Sequence, residues 1–363
     1  MTKPLISIII PVYKVDLGYF SQCLGSSIKQ TYYNIEIIIV GDGCSQELID
    51  MAQGYAKTDT RLIIEYQMNK GVSEARNRGV EIANGEWILF LDADDWLDIQ
   101  ACEKLYEIIK EETSATRTID IIQFNSVRAF ENKKIPFNYN LRGGYSCNTE
   151  EGWFNLVRRT IQPSNYFKGT TSGCTIFHIW DKLFNKEFLT NNHIHFEKSI
   201  HLSEDKLFYF DCLCERPTIF ISGQLLHYYR ENQSSVKHSF SAGLDSERVL
   251  FFHALSNKLQ NICIENKKKK TLINDLHICF AAGAGEVIIR KYYHPNFNKN
   301  LRQRRLESKR YLNTPIVSSA LRNIDLHEVN AKGILVILLL RLRLFELLAV
   351  LEHLSESTKE RQQ

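Results

Sequence analysis

Trp87-Ile88-Leu89-Phe90-Leu91-Asp92-Ala93-Asp94-Asp95-Trp96 runs from an unbroken apolar stretch straight into three carboxylates within four positions. A short apolar run without polar alternation is the pattern of a strand buried on both faces. Carboxylates packed at its end repel one another unless water or a cation shares the site. Hard divalent ions take oxygen ligands and bridge carboxylates to phosphates. The plainer reading of the same residues is a solvated loop that caps a helix starting near Asp98.

The same grammar extends on both sides of this stretch. Leu5–Pro11, Glu36–Val40, Arg61–Glu65 and Ile119–Phe124 read as strands. Phe20–Gln30, Gln46–Ala56, Val72–Ala83 and Ile99–Glu112 read as amphipathic helices between them. Such alternation predicts a mainly parallel, doubly wound α/β sheet. Ligands of these sheets bind beyond the carboxyl ends of the strands. Pro11-Val12-Tyr13, Asp42 and Asp92–Asp95 all fall there. Periodicity weakens from Ser126 to Thr175, which reads as hairpins and loops. A short helix follows over Ser203–Cys214, then strands over Thr218–Ser222 and Leu226–Arg230. Beyond Phe240 the chain reads as helical and basic, ending in one helix from about Ala331 to Leu354.

Composition narrows the partners. The chain has 363 residues, enough for two domains. A net charge of +3 is too small to imply nucleic acid. The nine cysteines are odd in number and irregularly spaced, which fits buried thiols in a reducing compartment. The apolar run at Leu5–Ile10 is too short for a signal-peptide core, and no uncharged stretch reaches the roughly 18–20 residues of a spanning helix. The expected location is the cytoplasm.

Ser7–Tyr13, Gln30-Thr31-Tyr32, Glu36–Gly43, Gly71–Gly79 and Asp92–Trp96 occur in this order. As an ordered set they resemble the family 2 glycosyltransferases, whose GT-A fold is a Rossmann-like nucleotide-sugar domain. The resemblance is dense over residues 5–100 and weaker at Trp180–Leu189, Glu204–Phe208 and Tyr228–Ser235. It implies a catalytic domain over 1–240, with a nucleotide-sugar half (1–125) and an acceptor half (126–240). Residues 241–363 form a basic helical region outside it.

Carried over residue by residue, the resemblance implies that Pro11, Val12 and Tyr13 lie along the nucleoside. Asp42 would accept a hydrogen bond from the base, most simply uracil N3–H. The family often has a second acid just before it, and this chain has Gly41 instead. Asp42 is also a sufficient former of a glycine-flanked turn. Asp92 and Ala93 would approach the ribose and metal region. Asp94, with Asp92 and Asp95 as further candidates, would hold Mn²⁺ or Mg²⁺ on the donor diphosphate. Arg76 would serve the donor site, while Arg78 could pair with Glu74 one helical turn away. Asp205 would be the catalytic base, with Glu204 the alternative; Ser203-Glu204-Asp205 is also an ordinary helix start. His227 is a weaker metal candidate and equally a packed histidine.

The mechanism implied is a single inverting displacement with no enzyme nucleophile, and no G-x-S-x-G elbow is present. Two rival readings lack their signatures: a nucleotidyltransferase would want a glycine-rich triphosphate loop after the first strand, a dehydrogenase or other dinucleotide binder G-x-G-x-x-G, and neither is present. A non-catalytic nucleotide-sugar scaffold is the third alternative. UDP-galactose, UDP-glucose and UDP-N-acetylhexosamine all fit as donors. The implied acceptor is a capsule, O-antigen or lipooligosaccharide chain, on a lipid carrier. Basic runs at Lys267–Lys270 and Arg302–Arg310 and the leucine-rich end predict a membrane surface, or a second copy of the chain, as a further partner.

Overall fold

The computed structural model describes residues 3–113, 118–137, 145–146, 149–163, 166–167, 177–231 and 240–360, with side chains as far as 354 and not at 145–146. The chain divides into two compact units, Met1–Trp153 with Ile176–Asn232, and Phe154–Thr175 with Gln233–Gln363.

The first unit is built on one mixed sheet. In chain order its elements are β1 (Ile6–Val12), α1 (Leu17–Ile28), β2 (Ile35–Asp42), α2 (Gln46–Ala56), β3 (Leu62–Gln67), α3 (Val72–Ile82), β4 (Trp87–Phe90), β5 (Trp96–Leu97) and α4 (Ala101–Glu112). They continue with β6 (Ile121–Ala129), β7 (Lys134–Pro136), β8 (Tyr145–Ser146), β9 (Lys182–Asn185), α6 (Lys186–Asn191), α7 (Glu204–Cys214) and β10 (Ile219–Arg230), while α5 (Glu150–Ile161) begins in the first unit and has most of its residues in the second. The strand order is β3-β2-β1-β4-β9-β6-β10-β5, with β7 on β6 and β8 on β10. The β3-β2-β1-β4 half is parallel; β9 is antiparallel to both its neighbours, while β6 and β10 run parallel to each other.

The parallel half follows from its residues. Ile6, Ile8, Ile9 and Ile10 are all fully buried, so both faces of β1 are covered, as its unbroken apolar run requires. Beneath it, Ser7 donates to Glu36 Oε1 at 2.6 Å, and that carboxylate also accepts from the backbone N–H groups of Asn84 and Gly85. This buried hub fixes the non-ligand end of the sheet. α1 starts at Leu17, earlier than its apolar spacing suggests, because Asp16 caps it by accepting from Gly18 N and Tyr19 N.

Three elements differ from their sequence readings. The weakly periodic segment after Ser126 contains the helix α5; it carries an apolar stripe of Trp153, Phe154, Val157 and Ile161 interleaved with Arg158 and Arg159. The two strands expected around residues 218–230 are one strand, β10, whose register against β6 shifts between Ile221 and His227, around Gly223. The final helix is two. Of the second unit's helices, α8 is Leu244–Asn261, α9 is Asn266–Val287 (extended by a π-turn to Tyr292), α10 is Leu301–Leu312, α11 is Pro315–Asn323, α12 is Ala331–Arg341 and α13 is Phe345–Glu360. Between α12 and α13 Arg343 adopts φ +61°, and Leu344 N bonds back to Leu339 O, which ends α12 with a left-handed residue. The stretch Asn266–Tyr292 is long and apolar enough to cross a membrane, yet its apolar window is mostly buried, as in a core helix.

Candidate functional site

Strand ends place the acids. Val12 is in register with Gly41, and Gly41 with Tyr66, so β1, β2 and β3 finish side by side. Val12 is 2% exposed and belongs to the core, so only its backbone faces outward; Tyr13, one residue on, is 42% exposed. Asp42 is buried and accepts three hydrogen bonds, from Gln67 Nε2 (2.8 Å), Lys70 N (2.7 Å) and Gly71 N (2.8 Å). It therefore holds the loop between β3 and α3. An ionised carboxylate has about four acceptor positions, which leaves capacity for one further donor. Gly43 has φ +67°, and a Cβ there would stand 2.9 Å from Asn69 Cβ, so glycine is required for the turn that presents Asp42.

Gly41 has a different reason. A Cβ at this position would lie 2.9 Å from Tyr66 Cδ1 and 3.0 Å from Cys44 Sγ. The Tyr66 ring thus occupies the space where a side chain at 41 would go, and it remains 43% exposed beside Asp42. Sequence reading missed Tyr66; its register opposite Gly41 was the signal, visible only once β2 and β3 are paired.

The three clustered acids point to different partners. Asp92 Oδ1 accepts from Arg76 Nη2 at 2.9 Å. Asp95 is 1% exposed; its Oδ1 accepts from Arg230 N at 2.7 Å, and its Oδ2 lies 3.3 Å from His227 Nε2. Arg230 also donates from Nε to Asp94 O and from Nη2 to Gln22, and its guanidinium lies over the rings of Tyr19 and Trp96. It clamps the turn that carries Asp94; the sequence offered it only as part of the segment Tyr228–Ser235, which the resemblance sets over the donor phosphates. Between these two partners, burial first and then Asp95 and Asp92 push the Asp94 carboxyl up to about 7. Ala93 is buried.

Arg76 joins the strand-end acids to a segment far along the chain. It is 3% exposed, and its Nη1 donates to Glu204 Oε1 (3.0 Å) and Asp205 Oδ1 (2.8 Å). Burial alone would depress its pKa, but Asp205, Asp92 and Glu204 outweigh that and raise it, so Arg76 is a permanent cation. Burial pushes the Asp205 carboxyl well above the usual range; Arg76 pulls it down and Glu204 raises it. Ser203, which precedes this pair at the head of α7, has φ +64°, an uncommon conformation for serine that aims the first turn. Arg78 turns away to Glu65 and Glu81.

His227 is fully buried and stacks on Trp180 with ring centroids 4.5 Å apart. Burial drives its pKa down to about 4, so it is neutral at physiological pH. Residues 232–235, part of the segment Tyr228–Ser235, lie outside the described residues.

Residues 7–177 match the family model for glycosyl transferase family 2. The putative glycosyltransferase EpsH of Bacillus subtilis is 30% identical over 251 residues, covering 67% of each chain. The chain belongs to glycosyl transferase family 2. The glycosyltransferase GlyG of Streptococcus pneumoniae is 27% identical over 65% of this chain and 74% of its own. Among solved structures, Staphylococcus aureus TarS 1–349 in complex with UDP-GlcNAc superposes with a TM-score of 0.62 at 15% identity, over 98% of this chain and 92% of that one. The mannosyltransferase PcManGT of Pyrobaculum calidifontis, in complex with GDP-Man and Mn²⁺, gives 0.51 at 12% identity, over 97% and 87%. These likenesses establish the GT-A fold. The glycosyltransferase therefore carries its strand-end acids where its fold binds ligands, and family membership sets aside the nucleotidyltransferase and dehydrogenase readings.

Proposed function

We propose that this glycosyltransferase moves a sugar from a UDP-sugar to a hydroxyl of a growing surface glycan, inverting the anomeric carbon. The observation that carries the reading is the Arg76 bridge: one buried cation ties Asp92, at the end of β4, to the Glu204–Asp205 pair. A base candidate is thereby held beside the donor acids. The UDP and UDP-GlcNAc bound by TarS support UDP as the nucleotide. Galactose, glucose and N-acetylhexosamine donors all remain within the proposal.

Asp205 acts as the general base. A carboxyl raised by burial is a stronger base than a solvated one, and Arg76 pulls it back toward the ionised form that accepts the hydroxyl proton. Glu204, on the same guanidinium, is the fallback. The hydroxyl oxygen attacks the anomeric carbon from the face opposite the leaving diphosphate, which inverts the configuration. Tyr13 and Tyr66 flank the nucleobase, and the spare acceptor position of Asp42 takes the base N–H. Pro11, the Val12 backbone and Ala93 line the donor. Residues 126–240 form the acceptor side.

A divalent cation, Mn²⁺ or Mg²⁺, fits the donor set. Burial first, and then the neighbouring Asp95 and Asp92, raise the Asp94 carboxyl, and a hard cation held there would offset the crowded negative charge. Among the described residues no three His, Cys, Asp or Glu side chains form a closed cage. That suits a site in which one or two carboxylates share the ion with substrate phosphates. Asp94 and Asp92 would hold it; Asp95 is instead engaged with Arg230 and His227 of β10, and His227 is buried against Trp180. When bound, the cation stabilises the departing diphosphate.

Unbridged thiols at Cys23, Cys44, Cys102 and Cys212 fit a reducing compartment, so we place the enzyme in the cytoplasm. The test is donor turnover on a panel of nucleotide sugars for the natural protein and for Asp205→Asn. The expected result is UDP-sugar selectivity, and a loss of turnover of about a hundredfold to ten-thousandfold with donor affinity retained. Normal turnover in Asp205→Asn would move the base to Glu204. No turnover on any donor would return the chain to a binding scaffold.

A further inference from the structure

α12 and α13 form a hairpin with two apolar faces. The inner face, including Val336, Ile337, Leu340, Phe345 and Leu348, is buried within the second unit. That face is sufficient to fold the hairpin, and an ordinary surface hairpin would be polar on the other. Here Leu335, Leu338 and Leu342 recur at three- and four-residue spacing on the outside of α12, between 41% and 65% exposed. Leu344, Leu347 and Val350 continue the outer face on α13 and are 43–53% exposed. Lys332 lies 3.8 Å from Glu352, which sets the two helices antiparallel and brings their outer stripes alongside each other. Six large apolar side chains on one exposed face exceed the scattered hydrophobics normal on a soluble surface.

The neighbouring helix supplies charge. Arg305 Nε bonds Glu346 at 2.6 Å, and Arg343 Nη2 bonds Asn313 at 2.8 Å, so α10 lies against the start of α13 and the turn before it. Arg302, Arg305 and Lys309 follow at helical spacing on the exposed side of α10 with Leu306 among them; Arg305 is paired with Glu346 and the adjacent Arg310 with Glu307, which leaves Arg302 and Lys309 as the cations that face outward. A leucine face edged by a row of Arg and Lys is the composition of a surface that lies in a lipid interface. An anionic leaflet would both cover the leucines and neutralise the basic row beside them.

We propose that the α10–α12–α13 face docks on a bilayer of anionic lipid, with the hairpin leucines in the acyl boundary and the α10 cations on headgroups. None of the donor or base residues belongs to these helices, so failure of the docking proposal leaves the assignment of the reaction untouched.

The experiment is co-sedimentation of the full chain with phosphatidylglycerol vesicles and with phosphatidylcholine vesicles at low salt, beside light scattering of the free protein. Binding to the first and not the second is expected, with release as salt rises. Arg302→Gln with Lys309→Gln should lower vesicle affinity about thirtyfold, on the usual contribution of a basic residue near an anionic surface. Leu338→Glu with Leu347→Glu should abolish it, and because both leucines are exposed, circular dichroism and turnover on a soluble acceptor should be unchanged. No sedimentation with either vesicle overturns the proposal. So does a dimer in solution that the leucine variant dissociates, which would make a second copy the occupant. Equal binding to both vesicles would overturn the role of α10.

Discussion

Removing the charge of Arg76 is the most discriminating perturbation of the site. Its guanidinium makes three charge-assisted bonds of 2.8–3.0 Å, with its side chain 4% exposed and those of Asp92, Glu204 and Asp205 31%, 16% and 18% exposed. Arg76→Met keeps an apolar stem against Phe196, over whose ring the guanidinium sits 5.3 Å from the centroid, and leaves three carboxylates without their cation. Breaking a buried pair from one side costs about 3–5 kcal/mol; partial solvation of the acids places this case near ~3 kcal/mol. Asp205→Asn removes one of the repelling charges. It should destabilise the natural protein yet cost little in the Arg76→Met background, a coupling of about 1–2 kcal/mol in a double-mutant cycle. The assay is urea unfolding followed by tryptophan fluorescence. All four tryptophans, Trp87, Trp96, Trp153 and Trp180, belong to the first unit, so the signal reports on the unit that holds the site. The pH arm has a fixed sign. The folded pKa of Asp205 is raised above its unfolded value, chiefly by burial, so the folded state binds more protons between the two. Stability therefore falls as pH climbs from the ordinary carboxylate value through the folded one, and in Arg76→Met that fall should extend to higher pH. A loss under ~1 kcal/mol together with an additive cycle would refute the bridge. It would mean that Arg76 is free to leave the acids for the donor phosphates.

Further outcomes follow from the same geometry. Asp94→Asn should nearly abolish transfer with the fold intact, and full activity in excess EDTA would sink the cation assignment. Because the Asp94 carboxyl is pushed up to about 7, protons compete with the cation below that pH. Mn²⁺-dependent UDP affinity, measured by calorimetry, should drop by about tenfold per pH unit below it and level off above; a flat profile counts against Asp94 as the ligand. Asp42→Ala should weaken UDP binding more than it slows the chemical step. It should also lower the melting temperature, since it strands the N–H groups of Lys70 and Gly71, a cost of about 1–3 kcal/mol; an unchanged melting temperature would show that the loop finds other partners. Tyr66→Ala should cost UDP affinity about five- to a hundredfold if the ring stacks on the base, with thermal stability little changed; unaltered affinity removes Tyr66 from the nucleobase site.

Much of the first unit was legible along the chain. Short apolar runs alternating with amphipathic helices identified β1, β2, β3 and β4, because a strand buried on both faces must be continuously apolar and its neighbours in a parallel sheet must be helices. The site acids were legible for the same reason: Asp42 and Asp92–Asp95 end such strands, where the fold leaves its ligand crevice. Local pattern failed where packing decided. The stripe of α5, Trp153, Phe154, Val157 and Ile161, is interrupted by Arg158 and Arg159, and β10 survives Gly223 only because β6 pairs with it on both sides of the shift. The break between α12 and α13 rests on a left-handed Arg343 that no glycine or proline announces.

The sequence by itself determined the family, the parallel half of the sheet and which residue types stand at its ligand edge. Those properties are periodic or contiguous, and each is set by neighbours within a few positions. Only the tertiary structure decided how the acids are divided. Asp92 and Asp95 are three residues apart, yet one pairs with Arg76 and the other with the end of β10. Arg76 and Asp205 are separated by 129 positions and bond at 2.8 Å, and Tyr66 fills the space above Gly41 from the adjacent strand. Such contacts depend on strand register and on where helices begin, which residues distant in the chain settle together. A buried cation takes its partners from whichever carboxylates packing brings within reach, and spacing along the chain does not encode that distance.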